Sequence, residues 1–325
     1  MKGTRTCLQP PLGIQKNKMR RAGTVRIGIS GWRYKGWRGI FYPPKLPQRR
    51  ELEFASREFA TIELNGSFYS LQHPENFALW RDETPDNFVF AVKGSRYITH
   101  LRRLREVEQP LANFFAQGLL AFGNKLGPIL WQFPPNFKFE RERFQSFFQL
   151  LPRSTGAAAR LARSHDDWMK ERSLTRAGDD RPLRHCVEIR NESFAVPEFI
   201  DLLREHDIGL VVADTVEWPL LMDVTSNFIY CRLHGSEQLY ASGYTEAALE
   251  QWATRITAWV QGGNSPDGRF AAPDQSAPHQ PRDVYVYFDN DAKVRAPVDA
   301  KSLRELVAKR LPGCVARYPD EPRAA

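Results

Sequence analysis

Polar side chains that could bind or transform a ligand follow a series of short apolar runs in this sequence. Carboxylates and histidines serve as general acids and bases, and they also hold divalent metals. Lysine, arginine and amide side chains bind anionic groups and fix their orientation. In chain order the candidates are Trp32, Tyr34, Glu63, Asn65, Lys93, Arg96, His100, Gln132, Glu188, Arg190, Asp214, Arg232, His234, Asn290 and Asp291.

Two chemistries fit this set, and the first of them uses a metal. A divalent ion such as Mg²⁺, Mn²⁺ or Zn²⁺ would assist hydrolysis or isomerisation, held by Glu63, Glu188, Asp214, His234 and Asp291. No HExxH or other local ligand spacing supports this set, so the cofactor stays undetermined.

The second chemistry needs no metal. In this chemistry, cationic side chains bind an anionic group of the substrate. These side chains are Lys93, Arg96, His100, Arg190 and Arg232. Glu63 or Glu188 then acts as the general base and His234 as the general acid. We therefore predict catalytic roles for Glu63, Glu188, Asp214 and His234, and substrate binding for the other candidates. The structural alternative is that each buried carboxylate pairs with a neighbouring arginine or lysine.

The stretch Thr61–Tyr69, TIELNGSFY, predicts a short strand that delivers polar groups at its far end. Side chains alternate in a strand, so Thr61, Glu63 and Asn65 fall on one side and the apolar residues on the other. A carboxylate and an amide then stand beside aromatic surface, which is typical of a binding site.

Two further loops combine cations with other binding groups. The loop after the first strand interleaves Trp32, Tyr34 and Trp37 with arginine and lysine, a composition that stacks on bases or sugars and neutralises phosphate. The alternative is that Trp32 and Trp37 cap the core. The segment from Lys93 to Arg105 holds five lysine or arginine residues and no acid.

Eight apolar strand patterns, mostly separated by helical patterns, organise the chain. Strands that alternate with helices form a parallel sheet, and eight such strands close into a barrel. We predict an α/β fold, a somewhat irregular (β/α)8 TIM-type barrel. An open doubly wound sheet is the alternative, but neither GxGxxG nor GxxxxGK[ST] follows any strand.

The predicted domain organisation is one barrel, residues 25–312, with tails on both sides. Residues 1–24 form a basic tail without regular structure, and 313–325 form a short C-terminal tail. Two segments interrupt the barrel pattern as surface insertions, at about 153–184 and 262–282. The first of them is predicted to be partly helical and to lack strands.

Composition narrows the class of protein. The chain has 325 residues, 42% of them hydrophobic, which is enough for a sizeable core. Its net charge is +8, and residues 1–26 alone hold seven positive residues and no acid. No apolar run approaches ~18 residues, so we expect no membrane partner and a cytoplasmic location. Four scattered cysteines without a CxxC pair indicate reduced thiols.

Several segments together resemble the YecE-like family, catalogued as domain of unknown function 72. They include GISGWRYKGWRGIFYP, TIELNGSFYSL, FVFAVKGSRYITHLRRL, HCVEIRNESF and YCRLHG, and the match runs from about Val25 to about Lys309. The resemblance implies a TIM-type barrel and a soluble bacterial protein, and it supplies no reaction. Asp289 stands where the family more usually has Asn.

Four functions are consistent with these observations. The leading hypothesis is an enzyme that acts on an anionic, phosphate-bearing or sugar-bearing substrate at the carboxyl ends of the strands. The alternatives are a nucleic-acid-binding protein without catalysis, a metal-dependent phosphodiesterase or endonuclease-like barrel, and a scaffold whose polar ring is structural. The choice between a small anion and nucleic acid as partner, and the oligomeric state, stay open.

Overall fold

The architecture is a closed barrel of eight parallel strands. A computed structural model describes residues 22–235, 243–275, 277–290 and 293–316. Each strand pairs in parallel with the next, and β8 closes the barrel against β1. The strands are β1 (Val25–Ser30), β2 (Thr61–Leu64), β3 (Val89–Lys93), β4 (Leu126–Gln132), β5 (His185–Glu188), β6 (Ile208–Asp214), β7 (Phe228–Leu233) and β8 (Asp283–Phe288). The predicted (β/α)8 barrel is confirmed.

Helices surround this barrel and cover the outer faces of the strands. They are α1 (Glu51–Glu58), α2 (Gly66–Tyr69), α3 (Pro74–Glu83), α4 (Glu108–Ala116), α5 (Arg141–Leu150), α6 (Thr155–Ala162), α7 (Pro197–Glu205), α8 (Glu246–Val260) and α9 (Arg295–Arg310). Among the described residues, no helix is long and apolar enough to span a membrane.

Two sequence-based boundaries differ from the structure. The predicted strand from Thr61 to Tyr69 ends at Leu64, and α2 follows it at once. The apolar residues from Gln109 to Gly123 recur at helical spacing, which predicts one helix, but α4 ends at Ala116. Gly118 has φ +119° and ends the helical geometry before a 3₁₀ segment begins. Both breaks occur in the connections on either side of β3, where the chain must turn.

The segment 153–184 packs onto the barrel's helical layer. It contains α6, whose Ala158 and Ala162 are fully buried, and it lacks a strand as predicted. Asn113 of α4 donates a hydrogen bond of 2.8 Å to the Asp166 carboxylate in this segment. In the segment 262–282, Asp267 is held by Arg255 of α8 at 2.8 Å.

Alternation along the strands divides the core in two. Side chains of one parity pack outward against the helices, and those of the other parity fill the barrel. The apolar part of the interior consists of Val89, Ala91, Leu130, Cys186, Val211, Ala213, Phe228, Tyr230, Tyr285 and Tyr287. Further along the strands, toward their carboxyl ends, the interior becomes polar.

β1 approaches β2 closely at Gly28, and a substitution at this position tests the approach. A Cβ atom at Gly28 would lie 1.9 Å from the Thr61 carbonyl oxygen, so Gly28→Ala must push two strands apart. We expect the free energy of unfolding to fall by about 2–3 kcal/mol in urea denaturation. Gly36→Ala is the control, since no atom lies within 4 Å of its added Cβ. Equal stability of both variants would contradict the close approach.

Candidate active site

Arg232 is the centre of the polar cluster at the carboxyl ends of the strands. Its Nε and Nη2 donate to the two oxygens of Glu63, at 3.0 and 2.9 Å. Its Nη1 donates to Glu188 at 2.6 Å, and Nη2 also donates to Asp289 at 2.7 Å. Arg232 is 1% exposed. One buried guanidinium therefore joins three carboxylates, which lie on β2, on β5 and directly after β8.

Strand parity explains why these side chains meet. Ser30 is in register with Glu63 on the neighbouring strand, and Gln132 is in register with Glu188. Side chains at such positions point into the barrel at one level. The period-two pattern of β2 in the sequence, which put Glu63 on the same side as Thr61, therefore correctly indicated an inward carboxylate.

Glu63 has all its hydrogen-bonding capacity in use. Besides Arg232, the Ser30 hydroxyl donates to it at 2.6 Å and the Tyr230 hydroxyl at 2.7 Å. Burial, followed by the charge of Glu63, raises the pKa of Tyr230 well above its usual value, so this phenol stays a donor. Neither Ser30 nor Tyr230 was among the sequence candidates.

Glu188 is held between two arginines. Arg232 contacts one of its oxygens, and Arg190 donates to the other at 2.7 Å. Burial alone would raise the pKa of Glu188, but the two guanidinium charges outweigh it and hold this pKa well below the usual range. The Arg190 guanidinium also stacks over the ring of Trp218 at 3.6 Å, which fixes its position.

His234 lies between two carboxylates of the cluster. Its Nδ1 is 3.2 Å from Asp289, and its Nε2 is 3.9 Å from Glu188. Despite burial, the charge of Arg232 followed by His234 holds the pKa of Asp289 below its usual value. Sequence reasoning missed Asp289, although its parity with Tyr285 and Tyr287 on β8 would have placed it inside. The candidate Asp291 lies outside the described residues.

Lys93, at the end of β3, differs from its neighbours. Its Nζ lies 4.3 Å from the centroid of the Phe68 ring, and the residue is 8% exposed. Within the described part of the chain, its ammonium donates no hydrogen bond. Burial, reinforced by the charge of Arg232, lowers the pKa of Lys93 to about 8.

His100 and Gln132 lie beside Lys93. The His100 ring packs edge-on against Phe68 with centroids 5.2 Å apart, and its Nε2 is 3.4 Å from the Gln132 amide nitrogen. Burial, followed by the charges of Lys93, Arg190 and Arg96, lowers the pKa of His100 to about 4. Arg96 itself is exposed. Lys93, Arg96 and His100, the candidates from the loop after β3, therefore lie close enough for their charges to interact.

The first loop contributes a cavity and not a stacking platform. Trp32 is 6% exposed and packs edge-on against Trp80. Trp32, Tyr34 and Asn65 line a cavity of about 280 Å³ next to the cluster. The Asn65 amide donates to the Ser30 hydroxyl at 2.9 Å, which links this cavity to the Glu63 network. A larger cavity of about 690 Å³ lies at the opposite end of the barrel, around Arg26.

Asp214 and Asn290, two of the sequence candidates for the site, do not enter the cluster around Arg232. The inward positions on β6 are Val211 and Ala213, so Asp214 points outward. It accepts a hydrogen bond of 3.1 Å from the indole of Trp252 on α8. Asn290 donates to Asp299 on α9 at 2.8 Å.

The carboxylates of the cluster are poorly arranged for a metal. Among the residues that the structure describes, no group of three or more His, Cys, Asp or Glu side chains is placed to hold a metal ion. The reason lies in Arg232, whose guanidinium occupies the position between the carboxylates that a cation would take.

The closed parallel barrel with its ion cluster at the strand ends makes this chain a (β/α)8 barrel protein. Residues 26–324 match the family described as "Protein of unknown function DUF72", and the chain belongs to this family. UPF0759 protein YunF of Bacillus subtilis is 24% identical, over 91% of this chain and 99% of that protein. UPF0759 protein YecE of Escherichia coli K12 is 29% identical over 38% of this chain and 50% of that protein.

Solved structures agree with the fold. A DUF72 family protein from Thermotoga maritima superposes with a TM-score of 0.64 at 23% identity, covering 87% of this chain and 99% of that one. A DUF72 family protein from Enterococcus faecalis superposes with a TM-score of 0.59 at 16% identity, covering 88% of this chain and 98% of that one. None of these names describes a reaction.

Arg232→Met should destabilise the fold strongly, because it leaves three buried carboxylates without their shared cation. We expect a loss of about 3–5 kcal/mol in urea unfolding at pH 7. Glu188 and Asp289 have folded pKa values below their unfolded values of about 4, so their stabilisation is complete above about pH 5 and lost as the pH falls. This acid dependence should shrink in the variant.

The control for this measurement is Arg50→Ala, which removes an arginine paired with Glu53 on the exposed surface. It should change stability little, since solvent screens such a pair. An Arg232→Met protein as stable as the wild type at pH 7 would show that the three carboxylates do not depend on this guanidinium.

Proposed function

We propose that this protein is an enzyme that acts on a small anionic substrate, phosphate-bearing or sugar-bearing, at the carboxyl ends of the barrel strands. The single observation behind the proposal is the Lys93 ammonium. It is buried at the strand ends, and no carboxylate among the described residues bonds to it. Its cation–π contact with Phe68 and the carboxylate charges nearby favour the ammonium, but no hydrogen bond or ion pair with the described residues satisfies it. A charge buried in this way costs stability, so a ligand that supplies the opposite charge explains its presence.

The distribution of charges supports an anion and not a cation as the ligand. Glu63, Glu188 and Asp289 are all bonded to Arg232. Among the residues that the structure describes, Lys93 and the exposed Arg96 lie beside them without an ion pair, and both lower the pKa of His100 after its burial. An anion placed there gains from two charges without disturbing the Arg232 cluster.

Proton transfer at this position falls to the histidines. His100, with a pKa of about 4, is neutral near pH 7 and can accept a proton from the substrate or donate a hydrogen bond to it. His234 lies between Glu188 and Asp289, an arrangement that orients an imidazole for acid–base work. In this proposal Glu63 and Glu188 act by holding Arg232 and His234 in place.

The nucleic-acid alternative loses one of its two arguments. Trp32 and Trp37 are 6% and 1% exposed, so neither offers a face on which a base could stack. The basic segment at the start of the chain lies outside the described residues. We therefore favour a small anion, and a short single-stranded DNA serves as the comparison ligand in the binding test.

Sulfate tests the anion site, because its charge is constant between pH 7 and 9. As the pH rises through the Lys93 pKa of about 8, the ammonium loses its proton and its attraction for an anion. We expect calorimetry to show sulfate binding about tenfold weaker at pH 9 than at pH 7, and Lys93→Met should abolish both the binding and its pH dependence.

Lys309→Met, which removes the same charge from the exposed surface of α9, is the matched control and should leave sulfate binding unchanged. Equal losses in the two variants would mean that only the overall charge matters. Tighter, steeply salt-dependent binding of the DNA would favour the nucleic-acid alternative instead.

His100 provides an independent signal. Burial and the charges of Lys93, Arg190 and Arg96 lower its pKa to about 4 in the free protein. An anion bound among these cations favours the imidazolium, so the pKa of His100 should rise by about one unit or more in an NMR titration with saturating sulfate. His206, whose pKa is lowered chiefly by burial elsewhere, should not respond. An unchanged His100 would place the anion elsewhere.

A further inference from the structure

Two lysines of this chain are equally buried but differently used. Lys93 and Lys125 are each 8% exposed. Burial is the first cause that lowers the pKa of both ammonium groups. Lys125 donates to the carbonyl oxygens of Arg81 and Thr84, at 2.5 and 2.7 Å. Its function is therefore structural, because it satisfies carbonyls at the end of α3.

The Lys93 ammonium has no such acceptors in the described part of the chain. It faces the Phe68 ring at 4.3 Å, and the charge of Arg232 disfavours its protonated form. The backbone around it is fixed, since the Ser67 hydroxyl donates to the Lys93 carbonyl at 2.7 Å. The Phe68 ring and the nearby carboxylates favour the ammonium, but burial and the charge of Arg232 outweigh them. A desolvated amine near another cation is the arrangement that activates lysine as a nucleophile.

We propose that the Lys93 side chain forms an imine with a carbonyl group of the anionic substrate. This inference rests on the proposed function for the substrate's charge, and it narrows the substrate to small anionic aldehydes and ketones. Arg96 takes the anionic group, and Lys93 Nζ attacks the carbonyl carbon. The polar cluster around Arg232 keeps the strand ends in position during the reaction.

The reaction balances without any further reagent. The neutral amine adds its lone pair to the carbonyl carbon, and the carbonyl oxygen takes up the proton that the ammonium had released. Loss of this oxygen as water leaves a protonated imine at Nζ. Overall, one ammonium and one carbonyl give one iminium and one water, with no change in charge or oxidation state.

His100 is placed to move the proton in these steps. It contacts the same Phe68 ring as Lys93, and its Nε2 lies 3.4 Å from the Gln132 amide. Its imidazole can take the proton from the attacking nitrogen and return it to the departing hydroxyl. The Phe68 ring limits the access of water to the nitrogen, which slows hydrolysis of the imine.

Reductive trapping tests the proposal on the full-length protein. Glyoxylate, an aldehyde with a carboxylate, is added with sodium cyanoborohydride at pH 7.5, and peptide mass mapping locates the product. We expect Lys93 to be modified at least tenfold faster than exposed lysines, and saturably. Sulfate should suppress this modification. Lys125 should stay unmodified although it is just as buried.

Two variants separate reactivity from structure. Lys93→Arg keeps the charge and removes the nucleophile, so it should lose the rapid modification and retain sulfate binding. Lys309→Met should keep both. Circular dichroism and thermal unfolding of Lys93→Arg show whether the variant is folded, so that a lost modification is not mistaken for unfolding. Lys93→Gln, which also lacks the amine, is a second variant if Lys93→Arg does not fold.

The outcomes distinguish the two proposals. Sulfate binding that depends on Lys93, together with modification of Lys93 no faster than exposed lysines, would overturn the imine and leave the anion site intact. Rapid, selective modification of Lys93 without sulfate binding would support an activated amine and overturn the proposed anion site. Absence of both would overturn both.

Discussion

The need to neutralise charge inside the barrel organises this structure. Arg232 is enclosed at the carboxyl ends of the strands, where an unpaired guanidinium would be very costly. Glu63 on β2, Glu188 on β5 and Asp289 directly after β8 neutralise it, so each of these strands must keep its register for the cluster to form. The cluster therefore links the strands to one another at the end of the barrel where ligands bind in this fold.

Because Arg232 is bonded to the carboxylates of the cluster, the cationic side chains beside them are the better candidates for contact with a substrate. Acidic residues at barrel strand ends first suggest metal binding or general-base catalysis. Here their oxygens are already bonded, whereas the ammonium of Lys93 faces the Phe68 ring and forms no hydrogen bond or ion pair with the described residues. Saturation of hydrogen bonds, and not residue type alone, thus separates supporting residues from candidates for contact with the substrate.

The strand patterns in the sequence predict many of the side chains that point into the barrel. Where the prediction fails, the reason is also physical. Period two on β2 correctly places Glu63 inside. At the ends of β6 and β8 the same period turns the candidate Asp214 outward, toward α8, and turns Asp289, which is not among the candidates, inward to Arg232. A shift of one residue reverses the direction of a side chain, so boundary errors become site errors.

By itself, the sequence determined the family, the eight strands and the polar character of their ends, because hydrophobic periodicity and motif order are local properties of the chain. Only the tertiary structure decided which polar groups bond to one another. Glu63 and Arg232, for example, are 169 residues apart in the sequence, and their pairing depends on barrel closure and register. Burial, which lowers the pKa of Lys93 and leaves its ammonium beside Phe68, exists only once the strands have closed.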